Sequence, residues 1–246
     1  SGIWQSVWME IVPEAYVQTL TLKGAADGRL FIRAEIGGDK PNAKLHIVVA
    51  DPADGTIVAD ELLPAGMRKV RTEIATRAEH LWSPNDPYLY DVTATLEFGA
   101  AKSQGKQEKL QQESQEIQEK PAKSQEKQDI VRSYCAFRTV EIKPDLKGIA
   151  RFHLNGKPVF LKGVLDQGYW PDGLLTAPSD EALVHDITAM KESGFTMLRK
   201  HIKIESARWY YHCDRLGMLV WQDAVSGGGE YNAWVTNRKP TLMRAK

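Results

Sequence analysis

The first part of the chain alternates apolar and polar residues in a series of short runs. These runs lie between residues 13 and 99, and turn residues such as those at 37–39 and 54–55 separate them. A period of two predicts strands with one buried face. Strands at such regular, short spacing favour an antiparallel β-sandwich. The five runs are 16–22, 30–36, 45–49, 70–74 and 89–96.

A further strand is predicted at residues 134–142, after a long interruption at 101–129. That interruption is rich in Gln, Lys and Glu, and Leu110 and Ile117 are its larger apolar residues. Such a segment buries too little surface to offset its conformational entropy. We therefore expect a solvated, disordered insert, and a partner-binding insert is the alternative.

After residue 143 the period of the pattern changes. The apolar run 158–164 predicts a strand, Ser179 is placed to cap a helix that ends near Gly194, and 195–199 predicts a second strand. A second helix is expected at 205–216, with Gly217 at its end, and a third strand at 218–223. Strand, helix, strand, helix, strand is typical of a parallel βαβαβ array.

Composition excludes several classes of function. The 246 residues contain 32 basic and 32 acidic side chains, so the formal net charge is zero. Such a chain has no general electrostatic attraction to nucleic acid or to an anionic membrane. No stretch approaches the roughly 20 apolar residues of a membrane helix. Two cysteines, Cys135 and Cys213, cannot form a disulfide framework, and the histidines and cysteines lack zinc-site spacing.

Candidate chemistry follows from the βαβαβ array, because parallel α/β structures bind ligands at the carboxyl ends of their strands. Polar and aromatic side chains stand at all three predicted strand ends. A rim of carboxylate, amide, Arg, His and indole groups suits a polyhydroxylated ligand, since aromatic faces stack on sugars while polar groups bind hydroxyls. The candidates are Asp166, Gln167, Trp170, Arg199, His201, Trp221 and Asp223.

Structural roles are alternatives for several of these candidates. Arg199 and Asp223 could form a structural ion pair, His201 could be a structural histidine, and Trp221 could fill the interior of a barrel. Cys213 is expected to be a small apolar core residue.

Several ordered motifs resemble glycoside hydrolase family 2, which includes β-galactosidases, β-glucuronidases and β-mannosidases. The entry into the catalytic barrel of that family is similar to FHLNGKPVFLKGV at 152–164. Its following strands and helix are similar to LRKH at 198–201 and RWYYHCDRLGMLVWQD at 208–223. Upstream segments also resemble it: SGIWQSVW at 1–8, LWSPNDPYLY at 81–90 and FR at 137–138.

This resemblance implies a multidomain β plus α/β chain. Residues 1–12 would end an N-terminal jelly-roll sugar-binding domain, and 13–143 would form an immunoglobulin-like β-sandwich that contains the insert 101–129. Residues 144–246 would be the first three βα units of an incomplete (β/α)₈ TIM barrel. We expect the chain to be an internal piece of a longer protein.

The family hydrolyses terminal β-glycosidic bonds with retention, through one carboxylate that acts as acid and base and one that acts as nucleophile. Both would lie on later barrel strands, so no catalytic residue is expected here and the piece should be inactive. Glu192, Glu205 and Glu230 match neither position. By resemblance, Arg199 would lie near the nucleophile and His201 would contact the sugar.

Two departures from the family limit what is implied. Residues 166–170 lack the histidines that family β-galactosidases carry after the first barrel strand, and 225–229 lack an acidic and His pair for Mg²⁺. We therefore expect no metal and no cofactor, and we name no sugar. Carbohydrate is the expected partner, and the oligomeric state and compartment stay open. The competing hypothesis is a non-catalytic carbohydrate-binding or adhesion module based on the sandwich.

Overall fold

The structure is a computed structural model that describes residues 7–38, 42–66, 68–98 and 128–224. Within these ranges it is mostly β-sheet and contains two helices. The elements are, in chain order, β1 (Tyr16–Gly24), β2 (Arg29–Gly37), β3 (Ala43–Ala50), β4 (Ile57–Pro64), β5 (Lys69–Ala75), β6 (Tyr90–Phe98), β7 (Asp129–Cys135), β8 (Val140–Pro144), β9 (Ala150–Leu154), β10 (Lys157–Pro158), β11 (Gly163–Asp166), α1 (Asp180–Glu192), β12 (Met197–Lys200), α2 (Ala207–Leu216) and β13 (Leu219–Gln222).

The first seven strands form two antiparallel sheets that share one apolar core. One sheet has the order β1-β2-β5 and the other the order β4-β3-β6-β7. Burial follows the alternation in sequence: Leu45, Ile47 and Val49 of β3 point into the core, and their neighbours do not. Because both sheets have one apolar face, packing the two faces together removes both from water.

The five strands predicted from alternation are all present, and a sixth strand, β4, lies between the third and fourth of them. Strand β4 has the burial pattern of an irregular strand, in which Val58 and Ala59 are both buried. A register shift opposite Ala50 accounts for these consecutive buried residues, since a bulge moves side chains between faces. Because of this irregularity, β4 lacks the strict alternation of apolar and polar residues from which the other strands were predicted.

The strand that follows the predicted insert begins earlier than expected. Residues 99–127, and with them most of the predicted insert 101–129, lie outside the described residues. Asp129 is already part of β7, where its carboxylate accepts a hydrogen bond from the backbone N–H of Val17 at 2.7 Å. The predicted single strand 134–142 is instead two strands, β7 and β8, separated by residues 136–139, where Phe137 is buried in the sandwich core and forms an isolated bridge with Gly24.

A small antiparallel sheet of order β10-β9-β8 joins the two halves of the chain. The predicted boundary at residues 143 and 144 falls within β8. The apolar run 158–164 is not one strand, because Pro158 pairs with His153 in β10 and the parallel sheet begins only at Gly163. The segment SGIWQSVW at 1–8 is described only from Val7 onwards. Between Val7 and Tyr16 the described chain contains no strand.

The last part of the described chain is a parallel sheet of order β11-β12-β13, connected by α1 and α2. This confirms the predicted strand–helix alternation. The Ser179 hydroxyl caps α1 by accepting from the Ala182 N–H at 3.2 Å. Gly217 ends α2 in the left-handed conformation, with φ of 74°. The helices cover one face of the sheet. The apolar cluster between them contains Leu183 and Ile187 of α1, Leu198 of β12, Trp209 and Cys213 of α2, and Met218.

Hydrogen bonds connect the antiparallel sheets to α2. The Trp82 indole N–H donates to the Asp214 carbonyl at 2.7 Å, and Arg138 stacks over the Trp82 ring at 4.3 Å. The Asp214 carboxylate accepts from the Tyr134 hydroxyl at 3.1 Å and pairs with Arg138 at 3.3 Å. Among the described residues, no helix is long and apolar enough to cross a membrane.

Candidate active site

The candidate site is built from equivalent positions on the three parallel strands. Leu165, Arg199 and Trp221 are neighbours in register, one on each of β11, β12 and β13. Two residues further along, Gln167, His201 and Asp223 each follow the last residue of their strand. Because side chains alternate between faces, both rows lie on the face opposite the helices.

The two rows are connected by hydrogen bonds at the carboxyl edge of the sheet. The guanidinium of Arg199 binds both carboxylate oxygens of Asp223, with Nε–Oδ1 of 3.0 Å and Nη2–Oδ2 of 3.2 Å. Gln167 Nε2 lies 3.0 Å from Nδ1 of His201. When the amide donates, the neutral imidazole carries its proton on Nε2. The structure thus brings together Gln167, Arg199, His201 and Asp223.

Electrostatics at this edge favour ionised Asp223. The side-chain hydrogen bond from Arg199 is the largest cause that lowers the Asp223 pKa below its ordinary value, and nearby His201 acts in the same direction. The ion pair of Arg199 and Asp223, one of the alternatives left open by the sequence, is present. A bidentate pair also fixes the plane of the guanidinium, which leaves its remaining N–H groups in a defined direction.

Trp221 lies on the same face but is not buried. Its side chain is 46% exposed and contacts Phe152 edge-to-face, with ring centroids 5.8 Å apart. Among the described residues it does not fill an apolar interior. An indole with one free face next to Arg199 has the geometry needed to stack on a sugar ring.

Asp166 and Trp170 lie away from this face. The Asp166 carboxylate contacts Lys200 Nζ at 2.8 Å and accepts from the Gly168 N–H at 2.8 Å, so both oxygens are used inside the protein. Trp170 packs against the apolar cluster under the helices. Asp166 and Trp170 were candidates either for substrate binding or for support of the site, and these contacts favour support.

Three charged residues near the site were not among the sequence candidates. Lys200, Lys203 and Glu205 are nearly inaccessible and contact Asp166 or one another. Alternation along β12 assigns Lys200 to the helix-covered face, and this position was the signal in the sequence that the lysine is buried. The partners of a buried lysine, however, come from loops whose paths the pattern does not define.

The described residues contain no cluster of three or more His, Cys, Asp or Glu side chains that could bind a metal ion. The expected absence of metal stays a prediction. Two clefts lie elsewhere on the described chain, one of about 400 Å³ next to Phe31 and Arg71 and one of about 420 Å³ next to Asn85 and Asn155.

Solved structures of β-glucuronidases have a similar fold. The β-glucuronidase of Parabacteroides merdae superposes with a TM-score of 0.66 at 19% identity, covering 87% of this chain and 24% of that structure. The β-glucuronidase of Bifidobacterium dentium, solved with coumarin-3-O-glucuronide, gives a TM-score of 0.65 at 21% identity, covering 87% and 31%.

Sequence relatives indicate the same class. The β-galactosidase of Lactobacillus delbrueckii subsp. bulgaricus is 24% identical over 229 residues, which is 91% of this chain and 20% of that protein. The β-mannosidase B of Aspergillus terreus is 25% identical over 248 residues, 95% of this chain and 26% of that protein. No family model matches the chain.

These relatives and structures confirm the resemblance to glycoside hydrolase family 2. The chain spans only about a fifth to a quarter of the length of the relatives that it matches. The activity of the whole relatives is therefore treated below as a proposal.

Proposed function

We propose that the chain is part of a retaining exo-β-glycosidase that hydrolyses terminal β-glycosidic bonds. In this proposal the two antiparallel sheets are an immunoglobulin-like domain over residues 13–143, and residues 144–246 begin a TIM barrel. Residues 1–12 end a jelly-roll domain. The observation that supports it is the pair of rows on β11, β12 and β13, where Arg, His, amide, carboxylate and indole groups converge at one edge.

The proposed contribution of this edge is binding and electrostatic support. Arg199 is oriented by Asp223 and keeps N–H groups for a sugar hydroxyl or for a nearby nucleophile carboxylate, which it would hold ionised. His201, with its proton on Nε2, donates to a hydroxyl in the subsite where the bond breaks. Trp221 supplies the stacking surface.

The acid/base and nucleophile carboxylates are assigned to no described residue. Glu192 ends α1, and Glu205 is buried against two lysine ammonium groups. Neither side chain stands beside Arg199 at the edge of the sheet. We therefore expect residues 1–246 alone to release no p-nitrophenol from p-nitrophenyl β-galactoside, β-mannoside or β-glucuronide, and robust turnover would contradict this assignment.

The test of the site is a sugar titration followed by NMR. Methyl β-galactoside, methyl β-mannoside and methyl β-glucuronide are added to the chain, and we expect roughly millimolar affinity for one of them. The shifted signals should be the Arg199 Nε–H, the His201 ring and the Trp221 indole. His201→Gln should weaken the binding by about fivefold, since a hydrogen bond is worth roughly 1 kcal/mol.

The competing function, a carbohydrate-binding sandwich, has one feature in its favour. Phe31 is partly exposed in an open groove of about 400 Å³ on the β1-β2-β5 sheet, next to Arg33 and Arg71. If the sugar shifted only signals around Phe31, and Phe31→Ala abolished binding while His201→Gln did not, the glycosidase site would be wrong.

A further inference from the structure

Four charged side chains meet behind the carboxyl edge of the parallel sheet: Asp166, Lys200, Lys203 and Glu205, here called the buried charge cluster. Lys200 Nζ lies 2.8 Å from Asp166 Oδ2 and 3.1 Å from Glu205 Oε1. Lys203 Nζ lies 2.8 Å from the same Glu205 oxygen. Lys200 is 1% exposed and Glu205 8%. Two positive and two negative charges cancel, and without this pairing such burial would be prohibitive.

Stability alone does not explain this cluster. Desolvating charges costs so much that apolar residues of equal volume are often as good or better. Leu183, Ile187 and Leu198 form an apolar core of that kind nearby, under the same helices. The cluster is therefore better explained by what its polar atoms hold in place.

The cluster holds both ends of the loop that follows β11, residues 167–175. The Lys203 ammonium donates to the Gly168 carbonyl at 2.7 Å and to the Leu175 carbonyl at 2.8 Å. At the start of the loop, the Asp166 carboxylate accepts from the Gly168 N–H at 2.8 Å. One buried ammonium thus fixes the two ends of the loop to each other and to the sheet.

Gly168 lies directly against the cluster. Its φ of 62° is in the left-handed region, and a Cβ at this position would collide with the Glu205 carboxylate. The same Cβ would lie 2.9 Å from Lys203 Nζ and 3.0 Å from Lys200 Nζ. Glycine is required here both for the backbone conformation and for the close approach of the loop to the charges.

This placement determines where Gln167 stands. Gln167 precedes Gly168, and its amide reaches Nδ1 of His201. From the other side, the His201 N–H donates to the Asp166 carbonyl at 2.9 Å, and Lys203 follows two residues later. The cluster therefore fixes the two chain segments that bring Gln167 and His201 together.

We propose that Lys203 and Glu205 are positioning residues, which fix the 167–175 loop so that Gln167 holds the His201 imidazole with its Nε2 proton directed at a sugar hydroxyl. The inference rests on the proposed function in one respect, the sugar contact of His201. The positioning itself can be measured without sugar.

The experiment uses the ¹⁵N-labelled chain and reads the tautomer of His201 from long-range ¹H–¹⁵N ring correlations at pH 8, with His201→Gln for assignment. Lys203→Met, Glu205→Gln and Gly168→Ala are the test variants. Lys191→Met is the matched lysine control, because Lys191 Nζ also binds carbonyls, those of Pro84 and Leu216, but away from the loop. Gly148→Ala is the matched glycine control, with φ of 76° and open space around it.

We expect one His201 tautomer, protonated on Nε2, in the unchanged chain and in both controls. The test variants should give a mixture of tautomers, and amide exchange in residues 167–175 should accelerate about tenfold or more. Far-UV circular dichroism identifies any variant that fails to fold. Glu205→Gln, which keeps the volume of the side chain, then serves as the variant of reference.

The inference is overturned if Glu205→Gln and the other folded test variants keep the tautomer and the exchange rates of the controls. A different result separates it from the proposed function. If the tautomer and the loop respond while no sugar shifts the His201 ring, the positioning is supported and the glycosidase site is wrong.

Discussion

The antiparallel sheets and the parallel sheet use their two faces differently. In the first, the inner faces of both sheets close over one core, in which Leu45, Ile47 and Val49 are inaccessible to water. In the second, only one face is covered. Across the other, Leu165 stays 52% exposed and Trp221 46%, on either side of Arg199.

Buried polar and charged side chains are also distributed unequally between the antiparallel part and the α/β part. In the antiparallel part, buried polar groups such as the Tyr90 hydroxyl accept bonds from backbone N–H groups, here those of Glu79 and His80. Cys135 is buried among apolar residues, which raises its pKa to about 12. The buried lysines, Glu205 and His212 all belong to the α/β part.

This comparison indicates a division of roles. A closed apolar core provides stability, whereas the open sheet face with charges fixed behind it is the surface proposed to bind ligands. The uncovered apolar side chains also predict limited solubility for the chain on its own. Substitutions placed in pairs, one member in each region, test how far this division holds.

The largest contrast is expected between two leucines. Leu45→Ala removes an inaccessible side chain and should lower the free energy of unfolding by about 2–5 kcal/mol, since it leaves a cavity. Leu165→Ala, at a half-exposed position, should cost less than about 1 kcal/mol. Urea denaturation of both variants measures the difference. Equal losses would mean that the open face of the parallel sheet is packed in solution.

A smaller contrast is expected at the turn beside His201. Ile202 and Ile204 are both 50% exposed, but Ile202 has φ of 51°, a conformation that a β-branched residue adopts only at a cost of roughly 1–2 kcal/mol. Ile202→Gly should therefore leave the stability unchanged or raise it slightly. Ile204→Gly should lower it by about 1 kcal/mol through the entropy of glycine.

The same urea denaturation measures both isoleucine variants. If Ile202→Gly were the more destabilising of the two, the left-handed turn would not be strained. If Ile202→Gly had normal stability but a changed His201 tautomer, the strained turn would instead serve to orient His201.

The smallest effect is a pH dependence of folding stability that arises from His212, in the α/β part. Burial lowers the pKa of His212, and the positive charge of Arg215 adds to this. The unfolded chain, with an ordinary His pKa of about 6.5, therefore binds more protons as the pH falls through that value, so folding stability decreases below it.

His212→Gln should remove this part of the pH dependence. Between pH 7.5 and 5.5 the melting temperature of the unchanged chain should fall by roughly 2 °C more than that of the variant. His185→Gln, a substitution at an exposed histidine of α1, is the matched control. A larger pH effect in His212→Gln than in the unchanged chain would contradict the sign.

Sequence patterns were sufficient for most elements and insufficient for their irregular neighbours. Alternation located β1, β2, β3, β5 and β6, and capping residues located both helices. Alternation missed β4, where a register shift interrupts the period, and it joined β7 to β8 because the buried Phe137 continues the apolar pattern between the two strands. The pattern records which residues are apolar, and it does not record where the backbone bends.

For the candidate site, the strand ends could be predicted and the roles of their residues could not. Gln167, Arg199, His201, Trp221 and Asp223 lie on the uncovered face because parity along a strand is a local property. Asp166 and Trp170 were equal candidates in the sequence, yet the contacts of both side chains lie on the helix side of the sheet. Which use applies depends on partners distant in sequence.

The sequence by itself determined most of the sandwich strands, both helices, the apolar core positions and the motifs shared with glycoside hydrolase family 2, because each depends on neighbouring residues or on residue type. Only the tertiary structure decided that Lys200 and Lys203 are neutralised by Asp166 and Glu205, and that a loop rests on them through Gly168. The reason is physical: the cost of burying a charge is set by the groups that the fold places within about 3 Å of it.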